Sequence, residues 1–286
     1  MHIKKLNFSD STARVFFVGD IHGRYQLLQE QLKKVGFSPE NGDTLISVGD
    51  IIDGGTENDE MLAMVELPWF EFTLGNHEFL MKQATKGLTE AKYNAVSSFL
   101  IDNNGMGMLG ALKQDSISDD DYDTLTEYLT TDEINWIGNG GGWFYNVFES
   151  KPFSLRLKQA QIISSSIPVG IEVNHPSGLI GVLHAGIKNN KWRSVGKIAK
   201  SRPMQLMWTR KNLKSFYRDD KSAYEAGYVD GVDALVVGHS TIDRGQPLIL
   251  ANTIYLDVGA KRGVPPAVIE LKEVMKLTRP FQNASF

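Results

Sequence analysis

Eight side chains in this sequence can hold metal ions or move protons, and each closes a short apolar run: Asp20, His22, Asp50, Asp53, Asn76, His77, His184 and His239. Carboxylate and amide oxygens with imidazole nitrogens are hard and borderline donors, suited to a pair of divalent first-row ions such as manganese, iron or zinc. Cysteine is absent, which excludes disulfides, thiolate nucleophiles and zinc-cysteine centres. In Asp20-Ile21-His22 the alternation of a strand end is expected to turn both side chains to one side, onto one ion. Asp50 is the expected bridge, with Asn76, His184 and His239 completing a second ion. Two such ions about 3.5–4 Å apart would bring the pKa of a bridging water towards ~7, giving hydroxide as nucleophile at neutral pH without a covalent intermediate. His77, one residue beyond Asn76, should point elsewhere and suits proton donation; Asp53 is its natural orienting partner.

The elements that must position these residues read as strands. Six β-branched or apolar runs, RVFFVGDIHG (14–23), DTLISVGDIIDGG (43–55), WFEFTLGNHE (69–78), LIGVLHAG (179–186), ALVVGHS (234–240) and TIYLDVGA (253–260), each end in glycine, charge or imidazole. Between the first two, Leu28, Leu32 and Val35 recur at helical spacing, so the order is strand, helix, strand, the mark of a layered α/β fold. Ligand sites in such sheets form beyond the carboxyl ends of the strands, where residues distant in sequence converge. Residues 80–150 read as a mainly helical insertion into one unit spanning 1–286. Within it SDDDYD (118–123) lacks the spacing of a calcium loop and is expected to begin a helix, and Gly140–Gly142 to make a tight bend. The tail after about 272 is expected to be peripheral. His2 is placed at a frayed terminus and His175 in a turn, neither with a function.

Composition narrows the classes. The 286 residues are 42% hydrophobic and 22% charged with a net charge of −4, so affinity through a basic, phosphate-neutralising face is not indicated and no strong nucleic-acid signature is present. No apolar stretch is long enough to cross a membrane and the start lacks a signal-peptide pattern. The expected location is the cytoplasm, that of a host if a phage encodes the chain.

The blocks GDIHG (19–23), GDIIDGG (49–55), GNHE (75–78), HAG (184–186) and GHS (238–240) resemble, in order and spacing, the five motifs of the calcineurin-like metallophosphoesterases. NGGGWF (139–144), WTR (208–210) and YLDVGA (255–260) narrow the resemblance to the bacteriophage lambda-type serine/threonine protein phosphatases of the PPP family. The resemblance implies an α/β fold with a central two-sheet β-sandwich flanked by helices, two divalent ions held as above, His77 as general acid and Arg210 on the phosphate. The sequence departs from the family where GDxxDRG and RGNHE carry arginines: here stand Gly54 and Leu74. Two readings follow. A phosphomonoesterase would recruit other cations, from Arg24, Arg244, Lys261 or Arg262; a phosphodiesterase or nucleotide hydrolase would use the space at Gly54 for a second ester group. The first is the expectation, with a phosphorylated protein or small phosphoester as substrate. A third reading, an inactive phosphoprotein-binding relative, is opposed by the complete ligand set.

Overall fold

The computed structural model describes residues 1–10, 12–145, 147, 150–218, 222–243 and 245–282; Arg244 falls outside them. One sheet has six strands in the order β1 (Ile3–Asn7), β5 (Gly170–His175), β6 (Gly178–Leu183), β7 (Ala234–Val237), β9 (Thr253–Tyr255) and β8 (Leu248–Leu250). The other has four, β10 (Val268–Glu270), β2 (Val15–Val18), β3 (Thr44–Ser47) and β4 (Phe70–Phe72). Strands β2, β3 and β4 run parallel, as do β6, β7 and β9. Six parallel strands therefore end at one rim, and they are the six runs seen in the sequence.

Period-two alternation explains why these strands are apolar throughout. Val15 and Phe17 of β2, with Ile46 of β3, meet Val173, Ile180, Val182, Val236 and Ile254 of the larger sheet in an inter-sheet core. Phe16, Val18 and Leu45, and on the other sheet Leu183, Leu235 and Val237, face the helices instead. The six strands that end at the rim are buried on both faces over most of their length and so read as apolar runs; β1, with Lys5 and Asn7 exposed, does not.

The helices are α1 (Tyr25–Lys34), α2 (Asn58–Met64), α3 (Asn76–Ala84), α4 (Glu90–Asp102), α5 (Gly105–Lys113), α6 (Asp119–Tyr128), α7 (Thr131–Gly138), α8 (Phe153–Ser164), α9 (Val195–Ser201), α10 (Met204–Trp208), α11 (Lys211–Arg218), α12 (Ala223–Gly227) and α13 (Leu271–Gln282). Leu28 and Leu32 of α1 are buried, whereas Val35 is 36% exposed just past its end. Helices α4 to α7 fill most of residues 90–138, and the acidic stretch starts α6, where the Ser118 hydroxyl accepts from the Asp121 N–H and three aspartates face the positive end of the helix. Two expectations need correction. The C-terminal segment is not peripheral: α13 buries Leu271 and Val274 in the inter-sheet core. Nor is the N-terminus frayed, because the His2 carbonyl accepts from the Val169 N–H and β1 pairs with β5 in register from Ile3.

Candidate active site

Each of the six parallel strands delivers one block to the rim. Asp20 and His22 follow β2; Asp50 and Asp53 follow β3; Asn76 and His77 open α3 after β4; His184 follows β6, His239 follows β7 and Asp257 follows β9. All are buried, at 9% exposure or less. Strand β2 stops at Val18, so strand alternation is not what brings Asp20 and His22 together. A turn does so: Ile21 and His22 both donate their N–H to the Asp50 carbonyl, and His22 takes a φ of 53°.

The side chains converge on two adjoining points. His22 Nε2 lies 3.9 Å from Asp20 Oδ2 and 3.8 Å from Asp50 Oδ2. His184 Nε2 lies 3.3 Å from the same Asp50 Oδ2 and 3.0 Å from Asn76 Oδ1. The His22 and His184 rings are held by their other nitrogens. His184 Nδ1–H donates to the Val48 carbonyl at 2.9 Å, and His22 Nδ1–H to the carbonyls of Ile52 and Asp53 at 3.2 and 3.1 Å. Both Nε2 lone pairs therefore face the cavity, the arrangement metal-binding imidazoles use. His239 Nε2 is buried without a hydrogen-bond partner, and an uncompensated buried nitrogen is a cost that a cation would remove. The donor atoms of His22, Asp50 and His77 form one cluster and those of Asp50, His184 and His239 another, each within 4.8 Å, with Asp50 common to both. The set of oxygens and imidazoles fits two divalent cations.

The local electrostatics agree. Burial lowers His22 to about 4 and His239 to about 3, so both rings are neutral at pH 7. His184 is burdened by burial, yet the Asp50 carboxylate beside it lifts it to about 10. Burial resists ionisation of Asp50, but His184, His77 and His22 outweigh it and hold its carboxyl well below the usual range. Burial, with Asp257 next, raises Asp20 well above that range. A divalent cation would reverse the cost of ionising Asp20 and displace the proton on His184.

His77 lies in the first cluster, yet it has a carboxylate partner of its own. Its Nδ1–H donates to Asp53 Oδ2 at 2.7 Å, leaving Nε2 towards the cavity, 3.9 Å from Asp50 Oδ2. Burial disfavours its charge, but Asp50 and Asp53 more than compensate and its pKa is raised. What holds Asp53 was not foreseen. This fully buried carboxylate also accepts from the indoles of Trp136 (α7, 3.0 Å to Oδ2) and Trp143 (2.7 Å to Oδ1). The helical insertion thus reaches the site through two tryptophans. Trp143 is in turn backed by buried Arg156, whose guanidinium lies 5.0 Å from the indole centre and bonds the Trp143 carbonyl and Asp59. Glu78 was also missed. Its carboxylate accepts the backbone N–H groups of Asp50, Ile51 and Gly75 at 2.9, 2.8 and 3.0 Å, tying two blocks together. A glutamate three residues after the residue preceding a helix is the capping-box pattern that could have revealed it.

The backbone is bent hard where it carries ligands. His22, Asp50, Asp53 and His239 have φ of 53°, 51°, 69° and 64°, in the left-handed region. The sheets also approach closely: a Cβ on Gly238 would lie 2.0 Å from Asp20 Oδ1, so a side chain there would displace that carboxylate.

The cavity over these residues measures about 250 Å³. Among the described residues lining it, the Lys and Arg side chains are Arg210, which donates to the His239 carbonyl at 3.1 Å, and Lys261. Arg24 braces backbone instead, donating to the carbonyls of Ala260 and Gly54. Arg262 turns to exposed Asp243 at 2.8 Å. Leu74 is 1% exposed in the helix-side core, so residue 74 does not present a side chain to the cavity. His175 is not in the turn itself but closes β5 at the hairpin to β6, where it accepts from the Ser177 N–H and bonds the Ala13 carbonyl.

The chain was compared with known proteins. The family description "Calcineurin-like phosphoesterase" matches residues 13–243. "Serine/threonine-protein phosphatase 2" of Escherichia coli is 27% identical over 249 residues, covering 86% of this chain and 87% of that protein. "Bis(5'-nucleosyl)-tetraphosphatase, symmetrical" of Baumannia cicadellinicola is 37% identical over 75 residues, 26% of each. Among solved structures, a cold-active protein-tyrosine phosphatase of a Shewanella species superposes with a TM-score of 0.47 at 16% identity, covering 94% of this chain and 78% of that one.

Proposed function

The chain belongs to the calcineurin-like phosphoesterases, and from that premise we propose a phosphomonoesterase that removes phosphate from serine and threonine side chains of proteins. The observation that carries the reading is Asp50 Oδ2, which faces His22 at 3.8 Å and His184 at 3.3 Å and so can serve two cations at once. Asp20, His22 and Asp50 would hold one ion, and Asp50, Asn76, His184 and His239 the other, with manganese the first candidate. A divalent pair supplies an activated water and charge for the phosphoryl oxygens.

The chain's own groups supply the rest. Asp53 fixes the His77 tautomer, so that Nε2 is the nitrogen that gives a proton to the departing alkoxide. Arg210 sits at the rim beside His239 and orients the phosphoryl group through charge-assisted bonds. Glu78 keeps the Asp50 turn and the start of α3 in place, so bridge and acid stay in register. The likeness to a serine/threonine-protein phosphatase over most of both chains supports a phosphoprotein substrate. No helix among the described residues is long and apolar enough to cross a membrane, and we place the protein in the cytoplasm, a host's if phage-encoded. A second reading, hydrolysis of nucleoside polyphosphates, is supported by the shorter tetraphosphatase match.

Chelated protein should hydrolyse neither a phosphoserine peptide nor p-nitrophenyl phosphate, and manganese should restore both. Full activity in a verified metal-free preparation would end the two-metal reading. A kcat/KM higher for dinucleoside polyphosphate than for phosphopeptide would favour the second one.

A further inference from the structure

The phosphoryl group of a monoester carries about two negative charges and three free oxygens, yet Arg210 approaches the cavity from one side only. Beside His77, the ammonium of Lys261 lies 3.2 Å from Nε2 and 3.1 Å from the Asn139 carbonyl, and among the described residues it has no carboxylate partner. Its path is made by a neighbour. A Cβ on Gly54 would fall 2.9 Å from Lys261 Cγ, so the lysine stem runs through the space a side chain at 54 would fill. Both backbones are pinned by one residue, since the Arg24 guanidinium donates to the carbonyls of Gly54, Ala260 and Lys261 at 3.4, 3.3 and 3.5 Å.

We infer that Lys261 is the second phosphate-gripping cation of the site, and that Gly54 is small because Lys261 needs its room. The inference rests on the phosphoesterase reading and refines it towards monoesters. In the free protein the ammonium donates to the lone pair of His77 Nε2. A phosphoryl oxygen entering between Lys261 and Arg210 offers the ammonium an anionic acceptor in place of a neutral one, and charge-assisted bonds are the stronger. A diester, with one charge and two free oxygens, has less to offer both cations. Arg24 is therefore a positioning residue for Lys261 and no phosphate ligand itself.

The test uses manganese-loaded Lys261→Met, which keeps the stem and removes the charge, beside Lys261→Arg. Inorganic phosphate binding, followed by calorimetry, should weaken about 10–100-fold in Lys261→Met, the range of one lost charge-assisted bond. Its kcat/KM should fall by a similar factor with a phosphoserine peptide and less than about fivefold with bis-p-nitrophenyl phosphate, while Lys261→Arg retains most of both and metal content stays at the wild-type level. Phosphate affinity within twofold of wild type in Lys261→Met, or equal losses on monoester and diester, would overturn the assignment. If the wild-type protein hydrolyses no ester with metal, the proposed function fails, and phosphate calorimetry still decides on Lys261.

Discussion

Replacing Trp143 by phenylalanine tests whether the helical insertion serves the chemistry or only the fold. The change removes the N–H that meets Asp53 Oδ1 at 2.7 Å, and because Asp53 is fully buried no water can replace it. A hydrogen bond to a charged group is worth about 1.5–3 kcal/mol, and the lost indole face under Arg156 adds about 0.5–1 kcal/mol. The sum, about 2–4 kcal/mol, corresponds to a Tm about 3–7 °C lower for a domain of this size. The consequence for catalysis follows from geometry. With Oδ1 unheld, the carboxylate can rotate away from His77 Nδ1, and the acid loses part of the 10²–10⁴-fold that a positioned proton donor contributes. We expect kcat to drop about tenfold with a phosphoserine peptide, whose alkoxide needs the proton, and less than threefold with p-nitrophenyl phosphate, whose phenolate leaves without one. Thermal melts followed by circular dichroism and steady-state kinetics on both esters provide the data. Equal kcat losses on the two esters would refute the reasoning, since a merely structural tryptophan would not sort substrates by leaving group.

Three further outcomes are expected. His77→Asn should lower kcat about 10²–10⁴-fold on the phosphopeptide and much less on p-nitrophenyl phosphate; equal losses would remove the acid role. His239→Ala deletes an imidazole whose buried Nε2 has no hydrogen-bond partner, so elemental analysis should find about one ion per chain against about two in wild type, and two retained ions would exclude His239 as a ligand. Glu172 on β5 takes an indole N–H from Trp192 at 2.8 Å and pairs with Lys5 of β1 at 2.7 Å; burial opposes its charge, but those partners outweigh it and its pKa is lowered. A depressed acid stabilises the fold above its unfolded pKa, and the gain is lost as pH falls through the folded value. Glu172→Gln should then cost about 1 kcal/mol in urea unfolding at pH 7 and less at pH 4; a cost that grows towards pH 4 would reverse the sign.

The rim of the two sheets was legible because a parallel strand buried on both faces is almost uniformly apolar, so its polar successors stand out at once. The eight residues read from that contrast all converge. The reason first given for pairing Asp20 with His22 fails, however, since the chain leaves the strand before either and turns on the Asp50 carbonyl. What sequence could not show was which side chains look inward from loops. Among cations close in sequence, Arg24 braces backbone, Arg262 meets a surface acid, and Lys261 faces the site, a difference made by loop geometry alone. Trp136 and Trp143 read as ordinary core residues, and only the packing of the insertion against the Asp53 turn gives their N–H groups a task.

The left-handed turns at His22, Asp50, Asp53 and His239 place backbone strain of about 1 kcal/mol at each of four codons, although aspartate and histidine bear it better than most. At Asp53 the hydrogen bonds from His77, Trp136 and Trp143 outweigh what glycine would recover, whereas the buried His239 Nε2 has no hydrogen-bond partner to lose. A mutant library screened for melting point alone should therefore enrich glycine at 239 and not at 53, and yield robust proteins that turn nothing over. Thermostability screens of this chain need a turnover counter-screen from the first round.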